Sequence, residues 1–262
     1  MVPLTIAILV VVAGLPRDAP AEQPSQSPLR GSRQLLVVVT EAWTGVAGTL
    51  QRFERETATA PWRAVGSRVA VVVGRNGLAW GRGVADGRAA GGPLKKEGDG
   101  RAPAGVFRLG TSFGHSRQPL PGVALPYRSL DGTVECVDDV RSAHYNRLVS
   151  RQEVDRVDWN STERMWAEPL YKWGIVVGHN TPDVAAGDGS CIFLHIWKDA
   201  GAGTAGCTAM DERRLTAIIA WLRPASSPLL IQLPRAEYDR LKGAWDLPLL
   251  ADADGTDGSH FQ

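Results

Sequence analysis

Charge of one sign is missing from this sequence: 29 basic side chains face 28 acidic ones, a formal net charge of +1. Phosphate recognition needs a clustered excess of Lys and Arg, so no nucleic-acid partner is expected. Cysteine is scarce, with three in the chain, and no two stand in C-x-x-C spacing, so no metal site is expected. Beyond residue 21 there is no further long apolar run, nothing approaching the ~20 residues that a bilayer-crossing helix requires. Internal repeats and heptad patterns are also absent, so the chain does not read as a repeat array or a coiled coil.

What is present is ordinary for a globular protein. The chain has 262 residues, 44% hydrophobic and 22% charged, enough for one domain with a real core. Its 29 Gly and 17 Pro imply many turns and long loops rather than a helical bundle. Leu4 to Leu15 (LTIAILVVVAGL) is an apolar stretch too short to span a bilayer, followed by Ala19-Pro20-Ala21, a small-residue pattern that suits signal peptidase. Residues 1–21 are therefore expected to be a signal peptide, although no Lys or Arg precedes the apolar run; an N-terminal core strand is the alternative. Residues 22–33 then form a linker, 34–250 the domain, and 251–262 a flexible tail. The expected location is the periplasm or cell envelope, with no membrane span after signal removal and a monomer as the default state.

Gln34 to Thr40 (QLLVVVT) and Arg68 to Val73 (RVAVVV) read as buried strands, and Thr49 to Glu56 as a third. Gly74-Arg75-Asn76-Gly77 is a hairpin turn, with Leu78 to Gly83 returning. Val84 to Gly105 is a long loop, and Val106 to Leu109 resumes a strand. Tyr145 to Tyr171 mixes helical turns with loop. Trp173 to Val177 and Cys191 to Trp197 are strands. Asp211 to Trp221 is a helix, because Leu215, Ile218, Ile219 and Leu222 fall at i, i+3, i+4 and i+7; Pro224 ends it, and Leu229 to Leu233 is a last strand. The fold class is mainly β with a few helices.

The informative segment is GSCIFLHIWKDAGAGTAGCTAM, Gly189 to Met210. It places a strand His, a Gly-rich loop and then a Cys just before a helix. A thiolate is the nucleophile, and its pKa falls near a helix N-terminus and beside an imidazole. His195 would take the Cys207 proton and later protonate the leaving amine. Gly206 lets the backbone turn tightly, so that amide N–H groups near Cys207 can face a developing oxyanion. Taken singly, a strand His or a lone Cys is more often an inert core residue; export and the combination favour chemistry.

These residues resemble the L,D-transpeptidases, the YkuD-type catalytic domain. In that family a strand His precedes a Ser/Thr-x-Gly-Cys motif, matched by His195 and by Thr204-Ala205-Gly206-Cys207. Upstream, Lys96-Glu97-Gly98-Asp99-Gly100-Arg101-Ala102-Pro103-Ala104-Gly105-Val106-Phe107 is similar to the family's K-x-x-G-D-x-x-T-P-x-G-x-F stretch. The resemblance covers roughly residues 65 to 235 and implies a β-sandwich-like domain acting on peptidoglycan stem peptides. The reaction it implies starts with Cys attack on the carbonyl after the third residue of a tetrapeptide stem. The fourth residue, D-Ala, leaves, and an amine resolves the thioester. Water as acceptor would make the enzyme a carboxypeptidase. No metal or organic cofactor is implied.

Two departures stand out. The family often has Gly after the His, where this chain has Ile196, and often Arg two residues after the Cys, where it has Ala209. Loss of that Arg removes the usual bidentate grip on a carboxylate. His179 and Asn180 either enter the same cleft as substrate-binding residues, with Thr204 and Ala205, or form a strand-end turn. Lys95, Lys96 and Arg101 either meet stem carboxylates or are merely solvated. Cys136 and Cys191 are a disulfide candidate, export favouring pairing while Cys207 stays free; two buried thiols are the alternative. Trp166, Trp173 and Trp197 either stack on sugar rings or pack the core. A papain-like peptidase is disfavoured because His precedes Cys here. A non-catalytic peptidoglycan-binding module on the same fold remains open.

Overall fold

The computed structural model describes residues 27–87 and 91–250. The signal segment 1–21, residues 22–26 of the linker and the tail 251–262 lie outside the described residues. The first strands are β1 (Gln34–Thr40), β2 (Ala47–Glu54), β3 (Arg63–Val72) and β4 (Leu78–Trp80). They are followed by a long β5 (Ala102–Gly114) and a short β6 (Tyr127–Ser129). Three short strands come next: β7 (Val134–Val137), β8 (Leu148–Ser150) and β9 (Thr162–Arg164). After two 3-10 turns, Met165–Ala167 and Pro169–Tyr171, come β10 (Trp173–Val177), β11 (Phe193–Ile196) and β12 (Thr208–Met210). Helix α1 (Glu212–Trp221), β13 (Leu229–Pro234) and α2 (Arg235–Trp245) complete the described chain.

The main sheet runs β10-β11-β12-β3-β2-β1-β13-β5, and it closes on itself because β5 also pairs with β10. Strand β5 manages this by its length: residues Gly105 to Arg108 pair with β13, and Leu109 to Gly114 with β10. Strand β1 is buried at every position, parallel to β13 and antiparallel to β2. A continuous apolar run suits a strand covered on both faces. On the outer side α2 packs over β13 and β1, while α1 packs over β10 and β11.

Helix α1 begins where Asp211 accepts hydrogen bonds from the N–H groups of Arg213 and Arg214, satisfying two of the orphan donors at a helix start. Its Leu215, Ile218 and Ile219 are buried; complete burial of such a side chain contributes about 1.5–3 kcal/mol. A second helix, α2, was not expected from the sequence: Tyr238, Leu241 and Trp245 give it a buried face within an otherwise charged segment.

Two expectations need correcting. Residues 27–33 are not a linker. Leu29 is fully buried, its carbonyl and that of Ser32 accept from the Arg55 guanidinium, and Ser27 Oγ donates to the Trp245 carbonyl. The stretch from Tyr145 to Tyr171 holds β8 and β9, which flank β7 in a separate sheet of order β8-β7-β9. Among the described residues no helix is long and apolar enough to cross a membrane.

Candidate active site

Strands β11 and β12 run parallel, with His195 opposite Ala209 and Leu194 opposite Thr208. Strand β10 covers the other edge of β11, with Gly174 opposite His195. A side chain at 174 would collide with the ring of Phe113, its Cβ only 2.2 Å from Cζ, so glycine is required for the aromatic packing beneath the site.

Cys207 immediately precedes β12. This corrects the expectation of a Cys at a helix start: three strand residues and the Asp211 cap separate it from α1, too far for the helix dipole, which fades within the first turn. The thiol is buried. Its Sγ accepts from the Phe193 N–H at 3.3 Å and lies 3.5 Å from the Cys191 carbonyl. Burial, then the charge of Glu163, pushes the thiol pKa up; the Phe193 N–H, Lys95 and Tyr171 act the other way. The resting group is a neutral thiol.

His195 is also buried, and burial lowers its pKa, so the imidazole rests neutral. Its Nδ1 is 2.8 Å from the Ile196 carbonyl. A carbonyl only accepts, so Nδ1 carries the proton and Nε2 is left with the lone pair that a base needs. The partner is a backbone atom, so this contact does not depend on the identity of the side chain at 196. Cys207 and His195 line one cavity of about 260 Å³, together with Glu163, Glu168, Tyr171, Trp197, Thr204 and Ala205. Cys207 also lines a second cavity of about 210 Å³, whose wall includes Arg75, Lys95, Glu97, Glu163, Ala205 and Gly206.

Two residues of this site escape sequence reasoning. Tyr171 stacks edge-on against His195, ring centroids 5.1 Å apart, and its hydroxyl donates to Glu163 Oε1 at 2.9 Å. Glu163 sits on the three-residue β9, where no local pattern marks it. Burial raises its carboxyl to about 7, and the charges of Asp138, Glu168 and Glu97 push the same way.

The other sequence candidates divide. Thr204 shapes the loop: its Oγ1 donates to the Cys207 carbonyl at 2.6 Å and accepts from the Gly206 N–H at 3.1 Å. That Gly206 N–H is therefore engaged rather than turned toward an oxyanion, and a Cβ on Gly206 would approach the Arg101 carbonyl to 3.2 Å. His179 and Asn180 are almost fully buried and line neither cavity at Cys207. The Asn180 amide donates to the Ala185 and Gly189 carbonyls, and His179 Nε2 contacts the Asp188 carbonyl; the pair organises a turn. Lys95 reaches the second cavity while paired with Asp99 at 2.6 Å. Arg101 donates instead to the Leu78 carbonyl. Of the three Trp candidates, Trp197 lines the Cys207 cavity, Trp173 packs against the core and Trp166 is exposed.

Cys136, at the centre of the small sheet, is bonded to Cys191, with Cα atoms 5.9 Å apart; Cys207 is the free cysteine. Comparison with curated proteins and with solved structures gives no match. The family model of the L,D-transpeptidase (YkuD) catalytic domain matches residues 64–231, a span that holds the upstream Lys96–Phe107 stretch, His195 and Cys207. The chain belongs to the L,D-transpeptidase catalytic-domain family.

Proposed function

We propose that the protein is an exported L,D-transpeptidase that works through a Cys207 thioester on peptidoglycan tetrapeptide stems. The carrying observation is the His195 tautomer: with Nδ1–H held by the Ile196 carbonyl, Nε2 keeps its lone pair, and His195 lines the cavity that Cys207 also lines. A neutral thiol and a neutral imidazole suit a mechanism in which the proton moves as the sulfur attacks. Sγ forms a bond to the carbonyl carbon after the third stem residue, and His195 takes the thiol proton. As the C–N bond to the D-Ala breaks, His195 returns that proton to the leaving nitrogen. An acceptor amine then attacks the thioester, and the thiolate leaves and recovers a proton through His195. Water as acceptor would release a tripeptide stem instead.

Export is supported by the Cys136–Cys191 disulfide, since such bonds persist in oxidising compartments, and by the apolar Leu4–Leu15 run. The burial of Cys207 is what a binding-only reading would draw on. Intact mass spectrometry after incubation with a tetrapeptide stem and excess D-amino acid separates the readings, with Cys207→Ala alongside. Exchange of the terminal D-Ala, absent from the variant, is the expected result. A folded wild-type protein that forms neither exchange product nor a carbapenem adduct would leave the binding module as the better reading.

A further inference from the structure

Glu163 makes a contact that the thioester mechanism above does not use. Its Oε1 accepts from the Tyr171 hydroxyl, while its Oε2 is buried with no hydrogen-bond partner. A carboxylate with one oxygen buried and unpaired is costly, and the cost vanishes when the group is protonated. Glu163 also lines both cavities that meet at Cys207. Tyr171 lies between these groups: it touches His195 through its ring, lines one cavity with Cys207 and shares a buried cluster with it.

A tyrosine has one hydroxyl proton and can direct it one way at a time. With Glu163 ionised, that proton goes to the carboxylate, and the sulfur side of Tyr171 presents lone pairs. With Glu163 neutral, the acid donates to the Tyr171 oxygen, and the phenol proton is released toward Cys207. We infer that Glu163 is a positioning residue whose neutral form turns the Tyr171 O–H toward Cys207, where it stabilises the thiolate and the oxyanion formed on attack. Burial and like charges favour the neutral acid, against the Tyr171 hydrogen bond, which favours the carboxylate. Asp138, Glu168 and Glu97 face it with like charge, as does the thiolate of Cys207 when it forms. Of the cations nearby, Lys95 and Arg75 line the same cavity, Lys95 already being engaged by Asp99. Burial raises the Tyr171 hydroxyl well above its ordinary range, so it stays a donor across the working pH. His195, beyond Tyr171, is neutral.

The inference rests on Cys207 being the nucleophile, and its test separates the two. The substitution Glu163→Gln supplies an amide N–H in place of the acid proton at every pH, whereas Glu163→Ala removes the donor and the competing acceptor together. Alkylation of Cys207 by iodoacetamide needs no substrate and reads the thiol directly. It should be about 10-fold faster in Glu163→Gln than in wild type at pH 8, and that gain should vanish in a Tyr171→Phe background. A gain that survives Tyr171→Phe would mean a direct charge effect and overturn the role given to Tyr171; no gain at all overturns the inference outright. In D-Ala exchange, wild-type rates should fall as pH rises past about 7, where Glu163 ionises. Glu163→Gln should keep activity there, and Glu163→Ala, which leaves no carboxylate to take the Tyr171 proton, should also lose the fall above pH 7. A Glu163→Gln profile that falls as the wild type does would overturn the inference. If wild-type protein shows no exchange but the alkylation pattern holds, the transpeptidase reading fails and the Glu163–Tyr171 coupling stands.

Discussion

Cys136 stands directly opposite Glu163 in the β7–β9 pair, and its sulfur is bonded to Cys191, whose carbonyl lies 3.5 Å from Cys207 Sγ. The disulfide therefore ties the small sheet that carries Glu163 to the strand approach that carries His195. Tyr171, Phe193, Met165 and Cys207 share the buried cluster between them.

Removing that tie should cost both stability and activity. The bond closes a loop of 55 residues, and loss of a disulfide of this kind costs about 2–4 kcal/mol. Cys136→Ser/Cys191→Ser protein should unfold at lower urea, and at temperatures where it remains folded its exchange rate should fall as Glu163 loosens. Thiol counting on unfolded, non-reduced wild type should find one free thiol per chain; three would remove the premise.

His179 predicts a pH dependence of stability. Its Nε2 lies 3.0 Å from the Asp188 carbonyl and so carries the proton, while Nδ1 is buried without a partner. Burial lowers its pKa to about 4, against about 6.5 in the unfolded chain. As pH falls from about 6.5 to about 4, the unfolded state takes up a proton that the folded state refuses. Stability from this group is thus complete above the unfolded value and declines in that window, by at most roughly 3 kcal/mol. Urea midpoints at pH 8 and pH 4.5 should differ less for His179→Gln, which keeps an N–H for the Asp188 carbonyl, than for wild type. Parallel changes in the two proteins would exclude His179 as a source.

Gly174→Ala tests the aromatic floor. The new methyl would meet the Phe113 ring at 2.2 Å and the Leu194 carbonyl at 3.0 Å. Phe113 packs edge-on against Tyr171 and Phe193, so displacing it should disturb Tyr171 as well. Overpacking of this sort costs about 1–3 kcal/mol. Urea unfolding should show that loss, and kcat should fall more than KM changes.

The sequence made the site's local half legible and hid its long-range half. Strands β1 and β10 were readable with correct bounds because each is a compact apolar run ended by polar residues or Gly. The His–loop–Cys segment was readable because its parts lie within one stretch of chain. Glu163 and Tyr171 were not, since β9 is three residues long and exists through pairing with β7, a strand itself held by a disulfide partner 55 residues away. The strand after Cys207 was invisible for the same reason: Thr208 to Met210 is extended because β11 and β3 flank it. Helix α2 was hidden by its charged residues, which outnumber the Tyr238, Leu241 and Trp245 that dock it.

The missing Arg at position 209 leads to the last prediction. Ala209 is fully buried opposite His195, so a guanidinium there would have to be taken out of water, at high cost without a partner. Arg75 offers an alternative. It sits in the Gly74–Gly77 turn, whose two central residues are exposed while both glycines are buried, and the turn is pinned to the loop before Cys207 because the Arg75 N–H donates to the Thr204 carbonyl at 2.8 Å. Its side chain lines the second cavity at Cys207, where a stem carboxylate could take two hydrogen bonds from it. Arg75→Ala should raise KM for a tetrapeptide stem about 10-fold, the scale of one charge-assisted contact, with kcat within about twofold. Arg75→Lys should recover part of that loss, because it restores the charge without the planar fork. Steady-state exchange kinetics decide the matter, and an unchanged KM in Arg75→Ala would assign the carboxylate to Lys95 or to the backbone instead.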